Sequence, residues 1–99
     1  MHQVADRATK QAADLTDLRE QYRSRLGNKT TALALAERVF AVPYVTAASA
    51  AEALGVTDPT ARAAIRKLEG VGLLFEATGR PWGKLWEARP VVEVLQRPL

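Results

Sequence analysis

The sequence predicts a mainly α fold with one small β-hairpin, an α+β chain. Three observations carry that expectation. Apolar residues recur every three or four positions from Gln3 to Leu26. Two shorter helical patterns are separated by L-G-V-T-D-P, from Leu54 to Pro59. Two apolar-rich runs, L-L-F-E-A and K-L-W-E-A, flank the turn T-G-R-P-W-G. Together they describe a winged helix-turn-helix domain at 28–99, preceded by a long amphipathic helix at 1–27.

In the first element, Val4, Ala8, Gln11, Leu15, Leu18, Tyr22 and Leu26 form a narrow seam, apolar at every position except Gln11. Charged residues fill the rest of the surface, so the segment reads as an amphipathic helix of about six turns. Gly27-Asn28 provides its carboxyl cap. A narrow apolar seam needs a cover. It can fold back on its own domain or pair with a second chain as a coiled coil. The sequence favours the second chain, because a winged helix leaves little apolar surface free.

Asn28-Lys29-Thr30 has the form of a glycosylation sequon, but Thr30 reads better as the cap of the next helix. That helix, roughly Thr31 to Phe40, offers Leu33, Leu35, Ala36, Val39 and Phe40 to a core, and Pro43 ends it. Tyr44-Val45 suits a short third strand.

Thr46 can cap the first helix of the turn motif, which stops at Gly55 because the chain must bend sharply there. Val56 fills the gap between the two helices. Thr57 or Asp58 caps the second, with Pro59 at or beside its first helical position, where no amide bond is lost. Ala61, Ile65 and Leu68 share a buried stripe on this second helix. At about 100° per residue, Thr60, Ala63, Arg66 and Lys67 then point outward, with Arg62 on the flank. This face is small near its start and cationic farther on, the shape and charge that suit a DNA groove. Gly70 and Gly72 end the helix, and the hairpin with its glycine-rich tip follows as a wing. Pro90 starts a last short helix in which Val91, Val92, Val94 and Leu95 need the core or a neighbouring chain, until Pro98.

The run from Leu33 to Leu95 resembles the winged-helix domain found at the carboxyl end of many Fic-family proteins. The matching pieces are P-Y-V-T at Pro43 to Thr46, L-G-V-T-D-P-T-A-R-A-A-I at Leu54 to Ile65, L-L-F-E-A-T-G-R at Leu73 to Arg80, and K-L-W-E-A at Lys84 to Ala88. The sequence departs from that pattern at Pro81 and Trp82, where the family's turn is rich in Arg and Lys, and at Asp58, where a neutral residue is common. Both departures weaken phosphate binding. The resemblance implies a third cover for the amino-terminal seam: a Fic catalytic domain, with this chain as the carboxyl-terminal piece of a longer protein.

Composition narrows the function classes. The 99 residues, 47% hydrophobic and 25% charged, suit one ordinary globular domain. The net charge of +3 permits an anionic partner without demanding one. There is no cysteine, and therefore no disulfide or thiolate chemistry. With no signal sequence and no run approaching about 18 apolar residues, the expectation is a cytoplasmic protein without a membrane segment.

The expectation for chemistry is negative. His2 is the sole histidine and lies at the terminus. The Fic catalytic signature, His-Pro-Phe leading to Gly-Asn-Gly-Arg, is absent, and Gly70-Val71-Gly72 is no phosphate loop because no Lys-Ser/Thr pair follows it. No enzyme activity, cofactor or metal is expected.

The sequence instead favours a DNA-binding, transcription-regulatory module on double-stranded DNA. Thr57, Thr60 and Ala63 would face the bases, while Arg62, Arg66 and Lys67 would hold phosphates, with Arg66 also able to read a guanine. Arg80 and Lys84 would reach the flanking backbone. Trp82 would lie against a sugar or in the minor groove, or else fold back on Leu74 or Trp86. Val4, Ala8, Leu15, Leu18, Tyr22 and Leu26 would form a homodimer or interdomain interface. The alternative is a protein-interaction or regulatory module that packs on a catalytic domain or partner protein through the same faces.

Overall fold

In the computed structural model, the described residues are 2–27 and 30–96, with side chains described for 10–27 and 31–96. The helices are α1 (His2–Leu26), α2 (Thr30–Ala41), α3 (Ala47–Leu54), α4 (Asp58–Gly70) and α5 (Arg89–Gln96). Three short strands, β1 (Tyr44–Val45), β2 (Phe75–Glu76) and β3 (Trp86–Glu87), complete the chain. They form one antiparallel sheet in the order β1-β3-β2, with Tyr44 and Phe75 opposite Glu87, and Val45 and Glu76 opposite Trp86. Helix, strand, helix-turn-helix and hairpin in this order make a winged helix-turn-helix, mainly α with a small sheet.

Local chemistry explains the turns. Thr46 Oγ1 accepts the Ser49 amide at 3.0 Å and Ser49 Oγ accepts the Thr46 amide at 2.9 Å, a reciprocal capping box that starts α3. At the other end Gly55 adopts φ +65°, a conformation that strains any residue with a Cβ. The Val56 amide reaches the Ala51 carbonyl at 3.0 Å and the Gly55 amide reaches Glu52 at 3.3 Å, the two bonds of a Schellman motif. The end of α4 repeats the device around Gly72, at φ +82°. There Leu73 donates to the Leu68 carbonyl at 2.9 Å and Gly72 donates to Glu69 at 3.1 Å. Leu68 and Leu73 are both fully buried, so this turn is also a hydrophobic contact.

The core sits between α2, α3 and α4, closed by β1 and by Leu73 and Leu74. Leu35, Val39, Ile65, Leu68, Leu73, Leu74 and Val91 are its largest fully buried side chains. Burial of each contributes about 1.5–3 kcal/mol of hydrophobic stabilisation. The stripe expected on α4 is present, and Ala64 joins it.

The seam of α1 meets its own chain. Leu15 and Leu18 pack half-buried on the core, Tyr22 and Leu26 are buried in it, and α1 lies against α2 and α5. Gln11 Nε2 donates to the Val94 carbonyl at 3.2 Å, and Arg19 pairs with Glu37 and stacks over Phe40. For these residues the fold-back cover is the one the structure shows, and Leu15 and Leu18 stay half-buried. Helices α1 and α5, from the two ends of the chain, pack against one another. On α5, Val91, Val92 and Val94 are buried, whereas Leu95 is exposed. The side chains of Val4, Ala8 and Thr30 lie outside the described residues, as do Asn28 and Pro98.

No helix among the described residues is long and apolar enough to cross a membrane.

Candidate nucleic-acid interface

The first turn of α4 is open to solvent. Thr57, Asp58, Pro59 and Thr60 are all exposed, because Ala61 is the first residue of the helix to turn inward. Thr57 caps the helix: its Oγ1 accepts the Thr60 amide at 3.4 Å and donates to Thr60 Oγ1 at 3.0 Å. The hydroxyl expected to read bases at Thr57 is thus engaged in holding the helix start. Thr60 Oγ1 accepts that bond and keeps its own hydrogen for an outside acceptor.

One turn farther on, Arg62, Arg66 and Lys67 are exposed and Ala63 is half-buried, so the outward face expected of α4 is assembled. Neither Arg62 nor Arg66 has an ion-pair partner among the described residues. The described arginines of α1 differ. Arg19 and Arg23 pair with carboxylates, and Arg25 donates to the Val71 carbonyl while stacking on Tyr22. Acids flank the α4 face at its two ends. Asp58 sits at the positive end of the helix dipole, where it stabilises the helix and opposes an approaching phosphate. Glu69 is occupied by the indole N–H of Trp86 at 2.9 Å, which ties β3 to the end of α4.

The wing is braced by a group that sequence reasoning missed. The Glu76 carboxylate accepts the Thr78 amide, the Thr78 hydroxyl at 2.6 Å and the Gly79 amide at 2.7 Å. These bonds, together with the field of Lys84, hold its carboxyl below the ordinary carboxylate value. Thr78 Oγ1 also accepts the Leu85 amide at 3.4 Å, so the bracket spans both arms of the loop. Little in the sequence signals it, because the side chains that ordinarily close such turns are the shorter Asp, Asn, Ser and Thr, not Glu.

Arg80 is exposed, but it is not directed wholly outward. Its Nε and Nη2 both donate to the Gly83 carbonyl, at 3.1 and 2.8 Å, leaving the Nη1 side for an external anion. Lys84 is half-buried. Trp82 does not fold back on Leu74 or Trp86; it is 80% exposed.

The structure therefore brings Thr60, Arg62, Ala63, Arg66 and Lys67 onto one helix face, and Arg80, Trp82 and Lys84 onto one wing. Leu15, Leu18, Tyr22 and Leu26 belong to the interior packing of α1 instead. No protein-family model matches the chain, and no curated protein matches it significantly. Among the described residues, no three His, Asp or Glu side chains gather as metal ligands would.

Proposed function

We propose that this domain binds double-stranded DNA as a non-catalytic, transcription-regulatory module, with the outward face of α4 in the major groove and the wing on the flanking backbone. The observation that carries the reading is the pair of exposed arginines, Arg62 and Arg66, on α4 without carboxylate partners among the described residues. A guanidinium left unpaired on an open helix face is suited to a phosphate or to the O6/N7 edge of guanine. Thr60 and Ala63, small and just ahead of these cations, allow close approach to base edges.

So few cations support a non-specific Kd on the order of 10⁻⁴ to 10⁻⁶ M at physiological salt. A dimer or a longer parent protein would tighten binding and lower this value. A homodimer through α1 is proposed only for its amino-terminal end, at Val4 and Ala8, since Tyr22 and Leu26 belong to the core. The resemblance to Fic-family carboxyl-terminal domains is carried in the same way: a Fic catalytic domain is the partner proposed for the chain's amino-terminal side.

One observation favours a second reading, a protein-interaction module. Tyr44 and Phe75, each on an outer strand, flank Glu87 on the open side of the sheet and are 45% and 37% exposed. Arg89 stacks on Phe75 at 4.7 Å from the ring centroid and pairs with Glu87 at 3.3 Å. Such an aromatic row suits a protein contact.

Fluorescence anisotropy of a labelled random-sequence duplex separates the two. The DNA reading expects binding whose logarithm falls linearly with the logarithm of salt, and a slope smaller by about one when Arg66 is changed to Ala. A titration without binding at low salt rejects it in favour of the protein-interaction reading.

A further inference from the structure

We infer that Trp82 is a stacking wedge for a nucleobase at a partly opened base step of duplex DNA, and that the wing is built to present it. The inference rests on the DNA-binding reading and names the contact that the wing makes. Trp82 is 80% exposed, which leaves nearly the whole indole in water although the half-buried Trp86 and buried Leu74 lie on the same hairpin. An indole kept this open by a loose loop would be unremarkable, since a mobile tryptophan has many placements. Here the loop is not loose.

Three sets of bonds hold the tip. Glu76 binds the Thr78 amide, the Thr78 hydroxyl and the Gly79 amide. Across the base of the loop, Ala77 donates to the Leu85 carbonyl at 2.8 Å, and the Leu85 amide reaches Thr78 Oγ1. At the tip itself, the Arg80 guanidinium closes on the Gly83 carbonyl and encloses Pro81-Trp82 in a ring of four residues. Gly79 and Gly83 allow this closure because both take positive φ, +66° and +62°. The tip is therefore ordered before any ligand arrives, and a preordered aromatic loses less entropy when it stacks.

Charge indicates what it would stack on. The loop from Ala77 to Leu85 contains Arg80 and Lys84, and the carboxylate beside it, Glu76, is already engaged by the Thr78 and Gly79 donors. An indole flanked by cations matches a ligand that alternates anionic groups with flat aromatic faces. That description fits a nucleic acid better than an apolar protein groove, where both cations would lose hydration without compensation. In a duplex, the wedge would enter from the minor groove beside phosphates held by Arg80 and Lys84, and it would favour steps that cost little to unstack.

The test uses the whole chain with a labelled matched duplex and the same duplex carrying one central mismatch. Anisotropy reports binding, and acrylamide quenching reports access to the indole. Because the chain has two tryptophans, subtracting the signal of Trp82→Phe isolates Trp82. The expected result is that Trp82 becomes shielded from acrylamide on binding and that the mismatched duplex binds more tightly. Trp82→Ala should weaken binding on the order of 10-fold, abolishing the mismatch preference, while Trp82→Phe keeps most of both. Circular dichroism melting of the variants should match the wild type, because the side chain is exposed.

If anisotropy rises while Trp82 stays open to quencher, or if Trp82→Ala keeps the mismatch preference, the wedge is overturned and the DNA-binding reading stands. If neither duplex binds at low salt, the DNA-binding reading fails and the wedge fails with it.

Discussion

Glu76 illustrates how much a single side chain can organise at the residue scale. It contributes no bulk to the core, yet its carboxylate gathers the Thr78 and Gly79 amides that shape the wing. Because its folded pKa lies below the ordinary value of 4.5, the stability it contributes is fully present above that value. That contribution is lost as pH falls from there through the folded pKa. The Gly79 amide resonance, followed by NMR through an acid titration, is expected to move at a pH below 4.5 in the wild type and to lose that transition in Glu76→Gln. Movement at the ordinary carboxylate value would show that the bracket is not formed in solution. Thr57 carries a related lesson. Spacing identified it both as cap and as base reader, but the cap bond uses the hydroxyl and leaves Thr60 as the outward donor.

At the scale of elements, the turn motif was legible from residue types alone. Thr46, Gly55, Thr57 and Pro59 each have one local role, and that role depends on the backbone beside them. The strands were harder to delimit. The five-residue apolar runs form two-residue strands: Leu73 and Leu74 are drawn into the core, the ladder is Phe75–Glu76 with Trp86–Glu87, and one further backbone bond joins Ala77 to Leu85. The partner of α1 was not legible, since it depends on where α5 comes to rest, which no local pattern records. Tyr22 is central to that packing: it is buried, and its hydroxyl donates to the Gly72 carbonyl at the turn out of α4. We expect Tyr22→Ala to destabilise the monomer by about 3–5 kcal/mol, read from urea unfolding, and Tyr22→Phe by about 0.5–1.5 kcal/mol. A Tyr22→Ala variant as stable as the wild type would mean that α1 is not docked in solution.

Across the whole molecule, the extents of 48 × 30 × 21 Å describe an elongated body rather than a sphere. A helix of 25 residues is about 37 Å long, more than the breadth of the domain it packs on, and this accounts for the elongation. With α1 and α5 packed together on the core, α4 carries Arg62, Arg66 and Lys67 at its surface and the wing carries Arg80 and Lys84. The candidate site was partly readable in advance. The helix face followed from a periodicity of 3.6, whereas the engagement of Arg80 with Gly83 and the bracing by Glu76 depend on the closure of one loop. The most direct test of the central claim is a map of amide chemical-shift changes in the ¹⁵N-labelled chain as duplex DNA is added. The account predicts changes concentrated from Thr57 to Lys67 and from Gly79 to Lys84, with Tyr22 and Leu26 unmoved. Changes centred on Tyr44, Phe75 and Arg89, or none at low salt, would contradict it.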